Sequence, residues 1–376
     1  EQPSAPGPGE NGGWVAIDGP TFAAAEGWDW IPGIRDRNTG IWQDVELAAS
    51  GRVRIVDPQV ITTLPLPRTD TADISLIVPL ESSYTAPVEV TVNARFADVL
   101  VSKTTSVNPG STEIVLTPAD FPALKLTNPR LWWPNGYGEP ALYQLALAVS
   151  ARGQPSDSKT LRFGIRHVTY EFSLFDSQGR LRRVEVDVAA GSARGERLID
   201  NTHEKIKKSP RGWAASLTPA GEKSPAVREL SDALEYPHLT LRVNGERILA
   251  RGGNWGMDDS RKRIQRERLE PYFKLQREAN FNVIRNWMGT NTQDSFYELC
   301  DEYGMMVLND FWASTQDFQV EPQDPQLFLQ NAVDTVRRYR NHPSIVLWFG
   351  RNEGVPQPIL NEGLGDVGAP RLDAFA

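Results

Sequence analysis

The chain is poor in sulfur and imidazole, with one cysteine, four methionines and four histidines in 376 residues. A single thiol excludes an intrachain disulfide. Cys300 falls in the apolar helical pattern Phe296-Tyr297-Glu298-Leu299-Cys300, which reads as a core thiol rather than a nucleophile. His167, His203, His238 and His342 are scattered without metal-ligand spacing, so neither a metal centre nor a cofactor is expected. His342, in Arg340-Asn341-His342-Pro343-Ser344, reads as a structural residue in a helix-to-strand turn. No apolar run reaches the roughly 18 residues of a membrane span. Phosphate-cradling glycine loops and Gly-x-Ser-x-Gly elbows are also missing. Glu1 to Gly13 is rich in proline and glycine, lacks an apolar centre and shows no leader. Positive charge is in deficit, 40 Lys and Arg against 48 Asp and Glu, a net −8 that disfavours a nucleic-acid partner. The basic stretch Arg261-Lys262-Arg263, continuing to Arg266 and Arg268, is interleaved with helix formers and reads as a solvated helix face.

What remains is a globular composition, 40% hydrophobic and 23% charged, long enough for roughly two to four domains. Residues 1–50 read as short β segments and turns, with Gly40-Ile41-Trp42-Gln43-Asp44-Val45-Glu46-Leu47 alternating like a half-buried strand. So short a stretch cannot close a sheet alone, and it is expected to be the end of a domain. From 51 to 172 the pattern is all-β. Ile74–Val78, Val88–Val92, Thr112–Leu116 and Leu142–Leu147 are strands between proline and glycine turns, the rhythm of an immunoglobulin-like sandwich. Residues 173–235 are polar and weakly patterned and read as an insertion or linker with some hairpin structure.

From 236 to 376 the text changes again. Leu239 to Leu249 is a hairpin around Asn244-Gly245. Strands at 249–253, 281–286, 305–309 and 345–350 then alternate with helices at 266–279, 292–303 and 325–339, which predicts a parallel sheet. Four such units are the first half of a (β/α)8 TIM barrel. The expected fold class is therefore multidomain, β modules followed by half an α/β barrel, with a companion chain or segment completing the ring.

Parallel α/β sheets place ligands at the carboxyl ends of their strands. Those ends read Gly252-Gly253-Asn254-Trp255, Arg285-Asn286-Trp287, Asn309-Asp310-Phe311-Trp312 and Arg351-Asn352-Glu353-Gly354. Carboxyl groups, arginines, Asn amides and flat Trp faces on one rim suit a pyranose ring. Glycoside hydrolysis needs one carboxyl group to protonate the departing oxygen and another to attack the anomeric carbon or activate water. Glu353 suits the proton donor, Asn352 a contact to the sugar 2-hydroxyl, and Arg285 the orientation of a second carboxylate. The same Trp-rich rim would also serve a carbohydrate-binding protein without catalysis.

Residues 239–365 resemble glycoside hydrolase family 2. Ala279-Asn280-Phe281-Asn282-Val283-Ile284-Arg285 resembles its second-strand signature, and Asn341-His342-Pro343-Ser344-Ile345-Val346-Leu347-Trp348 leading to Asn352-Glu353 resembles its acid/base signature. Leu131-Trp132-Trp133-Pro134-Asn135-Gly136 resembles a signature of its immunoglobulin-like domain, and Gly27-Trp28-Asp29-Trp30 through Val45 the end of its jelly-roll domain. The resemblance implies a retaining mechanism with Glu353 as acid/base. It implies a nucleophilic Glu on a seventh barrel strand that this chain does not contain.

Within the family, Trp28 and Asp29 resemble the β-mannosidase loop that reaches the non-reducing sugar. Gly252-Gly253-Asn254-Trp255 and Asn352-Glu353-Gly354-Val355-Pro356 resemble the same branch, endo-β-mannosidases included. The exo-β-glucosaminidase branch is similar but carries an Asp as acid. Arg285-Asn286-Trp287-Met288-Gly289 departs from the glycine-rich run of mannosidases. The implied partner is an oligosaccharide or glycan, and the expected location is periplasmic or secreted.

Overall fold

The computed structural model describes residues 41, 43–209, 212–231, 239–256, 263–311 and 325–350. Two antiparallel sheets build the first module. One has Thr71–Ser82 at its centre, paired with Val53–Ile55, Gln59–Thr63, Gly110–Leu116 and Lys125–Thr127. The other runs Val99–Val107, Val88–Phe96, Tyr143–Ala151, Gln154–Phe163. Thr71–Ser82 buries every second residue: Ala72, Ile74, Leu76, Val78 and Leu80 face the core. Val90, Val92, Leu145, Leu147 and Val149 from the other sheet meet them. Phe96, Tyr143 and Phe163 close one end, with ring centroids 5.3–6.3 Å apart. Two inward-facing rows of β-branched and aromatic residues make a sandwich the only arrangement that hides both.

Of the segment expected as a strand before this module, Gly40 and Trp42 lie outside the described residues. Residues 44–50 have no strand pairing among the described residues, and Val45 and Leu47 are exposed.

A third sheet follows. Val168–Phe175 lies between Leu181–Val186 and Leu239–Val243, with Val227–Glu229 beyond the first and Glu246–Arg247 beyond the second. Short strands at Ile199–Asp200 and Ser216–Leu217 extend it. The stretch 173–235, expected as an insertion with hairpins, contributes to this sheet from both sides of its central strand. The Asn244-Gly245 turn has positive φ at both residues, 52° and 86°, the backbone of a type I′ hairpin.

The last module holds four parallel strands in sequential order: β1 (Gly252–Trp255), β2 (Val283–Asn286), β3 (Met306–Asp310) and β4 (Ile345–Phe349). Helices α1 (Arg266–Glu278), α2 (Asp294–Tyr303) and α3 (Pro325–Tyr339) connect them. Helix α2 ends on Gly304 at φ 68°, a left-handed cap that few other residues adopt. β1 begins three residues later than the sequence pattern predicts. Gly252 sits so close to β2 that an added Cβ would lie 1.8 Å from the Val283 carbonyl oxygen.

Each strand divides its side chains between two faces. Ile284, Val307 and Ile345 pack with Leu269, Phe273, Phe296 and Leu299 of the helices. Val283, Met306 and Val346 face the other way and meet Trp132, Val168, Leu241, Val243 and Ile248. The third sheet and the fully buried Trp132 thus form a floor under the open side of the half-barrel, and the indole N–H of Trp132 donates to the Asp301 carbonyl at 2.9 Å.

Candidate active site

Strand parity decides which rim residues can share a site. The ladder pairs Asn254 with Arg285, so both lie on the face that carries Val283 and Met306 further down. Asp310 and Phe349 are paired across β3 and β4 and belong to the same face. Arg285 donates from Nε and Nη2 to the two Asp310 oxygens at 3.1 and 2.7 Å, a two-pronged contact that fixes both planes. The Asp310 carboxylate is fully buried, while the Arg285 side chain keeps 27% of its exposure. Arg285 also lies 5.8 Å over the Phe349 ring. Asn254 is exposed on the same row. The structure therefore brings Asn254, Arg285 and Asp310 onto one rim of the inner face.

The neighbouring residues point the other way. Asn286 and Asn309 are ladder partners on the helix side and are buried. The Asn286 amide donates to the Asn309 side-chain oxygen at 2.8 Å and the Asn291 carbonyl at 2.9 Å. Asn291 returns its own N–H to the Asn286 oxygen at 3.0 Å. The Tyr297 hydroxyl reaches the Asn309 oxygen at 2.8 Å, and its ring stacks on Tyr339 at 4.2 Å. Burial, followed by the neighbouring Tyr339, pushes the Tyr297 hydroxyl well above its ordinary range, so it stays a neutral hydrogen-bonding group. This network pins the β2–α2 loop to the ends of β2 and β3.

Trp255 belongs with that second set. Its ring meets Phe273 at 5.0 Å, Phe296 at 5.6 Å and Tyr272 at 6.0 Å, all from helices. Trp348 likewise stacks on Phe311 at 5.3 Å. Trp287 is half-buried at the start of a short 3-10 turn, Trp287–Gly289. Sequence reading gathered every polar and Trp residue of these strand ends onto one rim, and missed the helix-facing network of Asn286, Asn309 and Tyr297. The signal was present in the period of two: if Arg285 faces inward, Asn286 cannot. Glu353, Asn352, Trp312, Trp28 and Asp29 lie outside the described residues.

His342 and Cys300 take structural places. His342 Nδ1 pairs with Asp301 Oδ2 at 2.6 Å, and the other Asp301 oxygen accepts the Ser344 N–H at 3.1 Å. The Cys300 thiol is fully buried, and burial, then Asp301, raises its pKa, which keeps it unreactive. Among the described residues no group of three or more His, Cys, Asp or Glu could hold a metal ion. No described helix is long and apolar enough to cross a membrane.

Two family models match the chain: "Glycosyl hydrolases family 2" over residues 53–166, and "Glycosyl hydrolases family 2, TIM barrel domain" over residues 238–362. Together they take in well over half of the sequence. A mannosylglycoprotein endo-beta-mannosidase of Lilium longiflorum is 29% identical over 355 residues, covering 90% of this chain and 31% of that protein. An exo-beta-D-glucosaminidase of Streptomyces avermitilis is 26% identical over 348 residues, covering 89% of this chain and 32% of that protein. Among solved structures, a beta-D-mannosidase from Dictyoglomus thermophilum superposes with a TM-score of 0.65 at 25% identity, covering 100% of this chain and 40% of that one. The chain thus spans about a third of the length of the curated relatives it matches.

Proposed function

The chain belongs to glycosyl hydrolase family 2, and from that premise we propose that it forms the acid/base half of a retaining β-glycosidase acting on β-mannosidic or related β-hexosidic bonds in glycans. One observation carries the reading. The barrel match runs through residue 362 and so includes Asn352 and Glu353, which follow the strand that closes the Asn254, Arg285 and Asp310 row.

In the proposed reaction Glu353 gives a proton to the leaving-group oxygen as the glycosidic bond breaks. A nucleophilic Glu from a companion segment or chain takes the anomeric carbon. Glu353 then removes a proton from the water that releases the sugar, so configuration is retained over two displacements. Asn254, the Arg285–Asp310 pair and Asn352 are the proposed hydrogen-bonding contacts to the sugar. Trp28, Asp29, Trp287 and Trp312 are the proposed walls of the subsite, while Trp255 acts through its packing beneath Asn254. Several hydrogen-bonding groups around one ring suit a polyhydroxylated substrate. The proposed site of action is the periplasm or outside the cell, where glycans are accessible to such an enzyme.

The test is a panel of aryl β-glycosides (mannoside, glucosaminide, galactoside, glucuronide) assayed with the complete enzyme and its Glu353→Gln variant. Turnover of the mannoside, falling about 10²–10⁴-fold in the variant for poor leaving groups, is the expected result. Preference for the glucosaminide would favour the second reading, which the similarity to the Streptomyces exo-beta-D-glucosaminidase supports. Sugar binding with no hydrolysis would replace both by a carbohydrate-binding protein.

A further inference from the structure

Strand β4 carries an irregularity just before its end. Val307 pairs with Ile345, but Leu308 pairs with Leu347, so Val346 is an extra residue in the ladder. Side chains alternate faces along a strand, so one extra residue reverses the facing of everything after it. Here it puts Trp348 on the helix side against Phe311 and Phe349 on the inner side beneath Arg285. A bulge also leaves a carbonyl without a ladder partner, and it persists only if something else takes that carbonyl.

What takes it comes from outside the barrel. The Tyr170 hydroxyl donates to the Val346 carbonyl at 2.5 Å. Arg166 donates from Nε to the Pro343 carbonyl and from Nη2 to the Ile345 carbonyl, both at 2.8 Å. Arg166 is itself fixed by the sandwich, since its carbonyl accepts the Thr62 hydroxyl at 2.7 Å. The same sandwich edge holds the turn before β4: the Val60 N–H donates to the Asn341 side chain at 2.9 Å, and the Asn341 amide donates to the Pro58 carbonyl at 2.8 Å. Burial raises the Tyr170 pKa, so its hydroxyl stays a neutral donor.

We infer that Arg166 and Tyr170 are positioning residues for the acid/base: by holding the Pro343, Ile345 and Val346 carbonyls they set the bulge, and the bulge sets the facing of the strand that leads to Asn352 and Glu353. The inference rests on the acid/base role of Glu353 proposed above. Neither residue touches substrate. Their effect is on where the proton donor stands, and a displaced proton donor penalises substrates in proportion to how much protonation their leaving groups need.

The experiment compares phenyl and 2,4-dinitrophenyl β-mannosides with the complete enzyme and its Glu353→Gln, Tyr170→Phe and Arg166→Lys variants. Glu353→Gln defines the signature, a large loss on the phenyl substrate and a small one in the first step on the dinitrophenyl substrate, whose leaving group departs unaided. Tyr170→Phe removes one hydroxyl and keeps the ring, so the fold is expected to survive. It should lose about 10-fold or more in kcat/KM on the phenyl substrate and stay within about 2-fold on the other. Arg166→Lys should share the bias, and a folded Arg166→Lys serves if Tyr170→Phe is unstable. Equal loss on both substrates, or no loss, in these variants while Glu353→Gln keeps its signature would overturn the positioning role alone. Absence of the signature in Glu353→Gln itself would remove the acid/base reading and this inference with it.

Discussion

The two faces of the four-stranded sheet are built from adjacent residues yet follow different rules. On the helix face the strand ends are saturated. Asn286, Asn291, Asn309 and Tyr297 spend their polar atoms on one another and are buried. On the inner face Asn254 is exposed and Arg285, bound to the buried Asp310, is partly exposed. The difference is one of exposure: a satisfied, buried polar network holds a loop in one place, whereas an oriented but accessible group can still exchange water for a ligand.

That contrast can be broken from either side. The largest expected effect is on the inner face. Asp310→Asn removes the charge that orients Arg285 and should lower kcat/KM of the complete enzyme by about 100-fold, with the far-UV spectrum unchanged. An active Asp310→Asn enzyme would mean that the pair is scaffold after all. On the helix face Asn286→Ala should do the reverse and cost about 2–3 kcal/mol of stability in urea unfolding, because it leaves the Asn291 and Asn309 groups buried without it. A variant as stable as wild type would show that the network is ornamental.

Acid should separate the floor from the rim. Burial alone would push the Glu171 carboxyl up, but hydrogen bonds from Arg247 and Arg242 outweigh it and hold it below the ordinary range. Glu302 is held down in the same way by Arg266 and Arg162, across the contact between sandwich and barrel. A carboxylate depressed in the folded state contributes stability above its unfolded pKa of about 4.3, and that stability is lost as pH falls through the folded value. The urea midpoint should therefore fall below about pH 4, and less steeply in Glu171→Gln. Parallel pH slopes would count against this. The smallest effect is a control on neither face: Gly245→Ala, at φ 86° in the floor hairpin, should cost about 1–2 kcal/mol and leave kcat unchanged.

Much of this architecture is legible in the residues, for identifiable reasons. Helix α3 matches its sequence range because its apolar period and the Asn341-His342-Pro343 turn bound it sharply. The inward row of Thr71–Ser82 reads directly from alternation. Gln154–Phe163 does not, since Pro155, Ser156, Asp157 and Lys159 hide a strand whose pairing with Tyr143–Ala151 is set by tertiary contact. Residues 173–235 read as unpatterned because their strands are two to six residues long and take their register from tertiary pairing, Leu181–Val186 and Ser216–Leu217 from Val168–Phe175 among them. The alternation from Gly40 to Leu47 falls partly outside the described residues, and Val45 and Leu47 are exposed among the described ones. At the site, the alternation of apolar strands and helices points to the strand ends, but only the ladder separates Asn254 from Trp255 and Arg285 from Asn286. The bulge at Val346 leaves no mark in the local sequence, because its cause lies far upstream at Tyr170.

The most direct test of the central claim is azide rescue of the Glu353→Ala enzyme on a 2,4-dinitrophenyl β-mannoside. Azide needs no proton removed before it attacks, so the account predicts recovered turnover and a β-glycosyl azide product, with configuration retained. No rescue, or an α-glycosyl azide, would contradict Glu353 as the acid/base of a two-step mechanism.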